Sequence, residues 1–285
     1  MRKMGIMVIV ALIFSLVVGT ILGGCESADT TKLKVVTSTA LIAQIVERIG
    51  GNMVDVVNII PPAQCPGHFD VSPNDIQKLA DADLFLMHGW QGEKFTEELI
   101  ASADNPDLTV VQINVSVGEN TNWMTPEVQL AAVDKIVDTL TQEDNQNSTA
   151  YKDLADDYKG IITTKGNELE TELAQKGLNS VNVMCNEQLN GFIQWTGLNI
   201  VAVYGRPDSL TPQVVKDLVD KGREEGVTLL IDNLQSGADA AKGIAEELGC
   251  VQITITNFPG GYDNTETWEK AIDYDVELIL EAINK

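Results

Sequence analysis

The sequence predicts an α/β fold of two lobes, each a four-stranded, mainly parallel sheet with flanking helices, joined by a long backbone helix. Three observations predict it. Short apolar, β-branched runs alternate with helical patterns, as in parallel sheets covered on both faces. The alternation runs through one set of strands, gives way to a long helical stretch, then resumes with a second set. The chain has 285 residues, enough for two lobes with a core each.

At the start, Arg2 and Lys3 precede an apolar run from Met7 to Ile21, followed by Leu22-Gly23-Gly24-Cys25. A charged start, an apolar middle and small residues at a cleavage point mark residues 1–24 as an export signal, shorter than a membrane-spanning helix. An uncleaved membrane anchor is the alternative. Both readings put the rest of the chain outside the cytoplasmic membrane. Residues 25–32 read as a polar tether.

The N-terminal lobe, 33–145, opens with strands predicted over 33–37, 54–60, 83–87 and 108–113. Helical patterns fall at 41–49 and from Ser72-Pro73-Asn74-Asp75 to about Ala80. There Ser72 reads as an N-cap, Pro73 as the first helical residue and Asp75 as a first-turn acid. From Pro126 to Leu140, and again from Tyr151 to Leu173, apolar residues recur at helical spacing. The second stretch lies in the linking segment, 146–178, where a helix from about Thr149 to Lys176 would be about 40 Å long as one rod. Two shorter helices broken at Gly160 or Gly166 are the alternative. The C-terminal lobe, 179–285, repeats the plan with strands over 181–184, 199–203, 227–231 and 251–255. One of its helices opens at Thr211-Pro212 and another runs from about Asp239 to Leu248.

Composition narrows the partners. The formal net charge is −23, and the only charged residues of the leader are Arg2 and Lys3, so the mature chain is more acidic still. Like charge repels, which argues against nucleic acid and anionic lipid as partners. Cys25 aside, Cys65, Cys185 and Cys250 remain, an odd number for an exported chain. Gly-x-Ser-x-Gly, Cys-x-x-Cys and phosphate-loop motifs are absent, which argues against an enzyme. A cysteine–histidine nucleophile pair is the residual catalytic reading.

Open parallel sheets bind ligands beyond the carboxyl ends of their strands. His68, His88, Cys185 and Asp232 fall on such loops or at their start. Cys65 and His68, three residues apart on a Pro-rich turn, offer the sulfur and nitrogen donors that Zn²⁺ or Cu(I) prefers. A Cys65–Cys185 disulfide is the alternative. Cys250, beside Gly249, reads as a core thiol, and Arg206 with Asp208 as a surface turn.

In this order and spacing, Val35–Thr39, Ile59-Ile60-Pro61-Pro62 with His68, Ser72 to Leu84, Gly89 to Glu93, Asn186 to Leu198, Ile231-Asp232 and Asn257 to Tyr262 resemble the TroA-like solute-binding lipoproteins of zinc and manganese ABC importers, which have a helical backbone. The resemblance covers nearly all of the chain after the leader. It implies a lipid anchor on Cys25 and an extracytoplasmic, membrane-anchored monomer. Its partners would be an ABC permease and its ATPase, and its cargo one transition-metal ion. Zn²⁺ is the expected ion, with Cu(I) or Mn²⁺ open.

Relatives hold the cation with about four side chains, commonly three His and one acid. Carried over, His68 matches the first ligand, Thr121 (two before Trp123) stands at the second, Asn186 at the third and Asn257 at the acidic fourth. Two readings follow. In the favoured one the site is rebuilt around Cys65, His68 and Cys185, with Asn186 and Asn257 beside them and His88, Thr121, Trp123 and Asp232 in support. In the other, Asn186, Asn257, Thr121, Trp90, Trp123 and Tyr262 line a cleft for a small polar molecule or a metal chelate. A surface adhesin is a third possibility.

Overall fold

The computed structural model describes residues 32–284; the leader and Cys25 lie outside them. The first sheet contains β1 (Leu33–Thr37), β2 (Val54–Asn58), β3 (Leu84–Met87) and β4 (Thr109–Gln112), all parallel, in the order β2-β1-β3-β4. The second contains β5 (Asn182–Asn186), β6 (Asn199–Tyr204), β7 (Leu229–Asn233) and β8 (Val251–Ile255), parallel in the equivalent order β6-β5-β7-β8.

Side chains alternate across each sheet. Leu84 and Leu86 enter one core while Phe85 and Met87 enter another. In the second sheet Val183 and Cys185 face one way and Met184 the other. The outer faces are covered by α2 (Pro73–Ala80) and α3 (Phe95–Ala103) in the first lobe, and by α7 (Pro212–Glu225) and α8 (Lys242–Leu248) in the second. The inner faces share a single core. It includes Ile42 and Ile45 of α1 (Ala40–Gly50), Ile136 of α4 (Pro126–Glu143), Phe192 of α6 (Asn190–Thr196) and Trp268 of α9 (Trp268–Ile283). Accordingly the chain from Lys32 onward is one compact unit.

The predicted caps sit where expected. Ser72 and Asp75 form a reciprocal capping box at α2, with Pro73 at the first helical position. At α7 the cap is one-sided: the Thr211 hydroxyl accepts from Val214 N, with Pro212 at the first helical position. The long rod is real: α5 (Ser148–Ala174) is one helix of 27 residues. Gly166 does not break it. A β-carbon there would lie 2.9 Å or less from Pro126, so glycine lets α5 approach α4 closely. Three helices, α3, α6 and α9, have no counterpart in the helical patterning read from the sequence.

Candidate functional site

The carboxyl ends of the two sheets face each other across a cleft of about 450 Å³. The first lobe supplies an aromatic wall. His88, just beyond β3, stacks on Trp90 with centroids 3.6 Å apart and meets Trp123 edge-on at 4.5 Å. Phe258 of the second lobe extends the stack to Trp90 at 6.5 Å. The His88 ring is buried, with Nε2 2.7 Å from Thr39 Oγ1 and no partner at Nδ1 among the described residues. Burial holds its pKa well below the usual range, so the ring is neutral. Glu93, also buried, accepts from Gly89 N at 2.7 Å and from the Ser38 hydroxyl. It ties the loop carrying Trp90 back to β1; burial raises its pKa.

The second lobe supplies most of the amides, and they are largely committed to one another and to Asn122 of the first lobe. Asn186 is buried; its Oδ1 accepts from Gln188 N at 3.1 Å, capping the turn after β5. Asn122 donates to Asn257 Oδ1 at 2.8 Å and to Gln188 O at 3.0 Å. Gln235 donates to Thr256 Oγ1 at 3.0 Å and across the cleft to Pro62 O at 2.8 Å, and it accepts from Asn257 N at 2.9 Å. Asp232 is buried beneath this wall. Its carboxylate accepts from Tyr204 Oη at 2.9 Å, Gln252 Nε2 at 2.7 Å and Ala241 N at 3.1 Å, while burial raises its pKa.

These positions correct the rebuilt-site expectation. Cys185 sits in the shared core, not the cleft, because its place in β5 turns it toward the helices. Burial pushes its thiol pKa up to about 12, the opposite of what a thiolate ligand needs. His68 ends the turn Pro66–His68 with its side chain exposed, outside the cleft lining that contains Cys65 and Pro66. Cys65, Cys185 and Cys250 are all free thiols, so the disulfide alternative is corrected too. Among the described residues no three His, Cys, Asp or Glu side chains cluster as a metal site. Of the supporting residues, Thr121 and Trp123 line the cleft, while His88 and Asp232 lie behind its walls.

Sequence reasoning missed Arg206. It is not part of an isolated surface turn: it lines the cleft and reaches the opposite lobe, where a β-carbon at Gly67 would lie 2.8 Å from its Nη1. The missed signal was topological. The loop after β6 is the equivalent of the loop after β2, so both had to end at the same cleft. Glu187, Asn122 and Gln235 were missed likewise.

Two parallel sheets with facing carboxyl ends, a shared core and a 27-residue helix alongside define a solute-binding protein of the helical-backbone class. Residues 35–282 match the model of the family described as zinc-uptake complex component A, periplasmic (ZnuA), and the chain belongs to that family. A manganese ABC transporter substrate-binding lipoprotein, PsaA, of Streptococcus mitis is 26% identical over 316 residues, covering 100% of both chains. The periplasmic metal-binding protein of candidatus Liberibacter asiaticus superposes with a TM-score of 0.76 at 17% identity, over 88% of this chain and 100% of the other. The solute-binding protein FpvC of P. aeruginosa, solved with Ni²⁺, gives 0.74 at 19% identity over 89% and 97%. The family is a transport component. No helix among the described residues is long and apolar enough to cross a membrane.

Proposed function

We propose that this chain captures a transition metal outside the cytoplasmic membrane and delivers it to an ABC permease and its ATPase. Cys25 carries the lipid that tethers it, and it works as a monomer. The observation that carries the reading is the cleft itself, formed where the carboxyl ends of both sheets meet, the ligand position of open parallel sheets. Membership of an uptake family supports it. Cargo contacts come from the open cleft groups, among them Cys65, Thr121, Glu187 and the ring of Trp90, rather than from chemistry performed on the solute. Zn²⁺ is the first ion to test. Deleting the gene should lower cellular accumulation of one transition metal, measured by elemental mass spectrometry, and the intact gene should restore it. Unchanged content for every transition metal would overturn the reading.

A further inference from the structure

Four features of the cleft do not suit a naked ion. A dehydrated divalent cation occupies less than the roughly 30 Å³ share of one liquid water, whereas the cleft holds about 450 Å³, within the roughly 300–1,000 Å³ of small-molecule pockets. Its strong donors are few: Cys65 and Glu187 are the only thiol and carboxylate in the lining. The amide oxygens of Asn186 and Asn257 already accept protein N–H groups. One wall is aromatic, which a bare cation in a donor cage does not require.

The fourth feature is charge. Of the three arginines among the described residues, Arg48 pairs with Glu269 and Arg223 with Glu247 at 3.4 Å. Arg206, the one in the cleft, forms no ion pair with any described residue. It also borders an adjoining recess with Lys94, Phe69 and Phe95, whose lining contains no acid. Lys94 likewise has no carboxylate partner among the described residues. In a chain of formal net charge −23, two cations outside any ion pair, one lining the cleft and one lining the recess beside it, with Glu187 the single acid of the two linings, are a local inversion of sign. A guanidinium presents a planar fork matched to a carboxylate, and a partly buried one gains most from that partner.

We propose that the cargo is an anionic metal chelate: a transition-metal ion already wrapped by a small polycarboxylate. A carboxylate of the chelator pairs with Arg206, and Lys94 adds attraction at the entrance. Trp90 and Phe258 pack against the chelator's carbon skeleton, and Glu187 and Gln188 take its hydroxyl or amine hydrogens. The inference rests on the metal-importer reading and deepens it.

Calorimetric titration of the lipid-free chain tests it. The probes are Zn²⁺ and Ni²⁺ alone, the same ions as citrate or nitrilotriacetate complexes, and the two chelators without metal. Saturation at one complex per chain is expected for at least one loaded chelator. That affinity should fall at least tenfold in Arg206→Ala, recover in part in Arg206→Lys, and weaken as salt is raised. Arg223→Ala, at an exposed pair away from the cleft, should bind as the parent does. Circular dichroism of Arg206→Ala checks that it folds. Saturation by bare Zn²⁺ or Ni²⁺ with an affinity untouched by Arg206→Ala would overturn the chelate and leave the metal reading standing. Metal-free chelators binding as tightly as loaded ones would overturn both. Silence across the panel would overturn the chelate.

Discussion

The two lobes are built on one plan and finished with different chemistry. Strand order is equivalent, every strand pair is parallel, and the helix after the second strand of each lobe starts Ser72-Pro73 or Thr211-Pro212 under a hydroxyl cap. The cleft-facing ends diverge. The first lobe ends in stacked rings around a neutral His88, the second in interlocked amides over the buried Asp232. The loops that leave β2 and β6 are topological equivalents, and they meet at Gly67 and Arg206. The framework sets where a solute sits; the residues at the strand ends set which solute it is.

The largest test of the comparison concerns whether the lobes are separate at all. Trp268 of α9 is fully buried in the shared core, and its Nε1 donates to Met124 O at 3.1 Å in the segment leading into α4. Trp268→Ala should cost about 3–5 kcal/mol in urea unfolding, and the parent should unfold in one transition by far- and near-ultraviolet dichroism. Two resolved transitions would mean the lobes fold independently.

A smaller effect sharpens the contrast between the two cysteines once paired by sequence. Cys185→Ser should cost about 1–3 kcal/mol, because a hydroxyl enters an apolar core, and leave cargo affinity intact. In the folded chain an alkylating reagent should modify Cys65 well before Cys185. Equal rates would contradict the core position.

The effect spread most thinly along its axis is a pair of opposed pH slopes. His88 stays neutral in the folded chain while the unfolded chain takes up its proton near pH 6.5, so stability falls as pH drops below about 6.5. Asp275 on α9 is fully buried, its Oδ2 lacks a partner among the described residues, and burial raises its pKa well above the usual range. The folded chain therefore keeps that proton after the unfolded chain has lost it near pH 3.8, and stability falls as pH rises from there to the folded pKa. Each slope approaches about 1.4 kcal/mol per pH unit within its window. His88→Gln should flatten the first and Asp275→Asn the second, read as urea midpoints from pH 4 to 8.

Much of the fold was legible because its signals are local. Runs such as Leu229-Leu230-Ile231 can only be buried strands, and Ser72-Pro73 can hardly be anything but a helix start. The helix α9 was legible too, in Trp268, Ala271, Ile272, Val276 and Ile279 after the capping Thr267, but went unread. The site resisted because its signals are not local. One residue's difference along β5 separates the core-facing Cys185 from Asn186, and only the strand's phase decides it. His68 and Cys65 share one turn yet point apart. Arg206 gains meaning only when a loop from the other lobe arrives beside it.

The shared core has a consequence for unloading. A protein whose halves swing on extended strands can open by bending a few backbone torsions, whereas here wide opening would expose apolar packing along α4, α5 and α9. The cheaper path is to unfasten the rim: Gln235 from Pro62, Asn122 from Gln188 and Asn257, and the Arg206 loop from Gly67. Loop excursions run on nanosecond to microsecond timescales, faster than whole-domain swings. A docked permease would then act as a key turned in three small clasps, with the spine of the molecule held still.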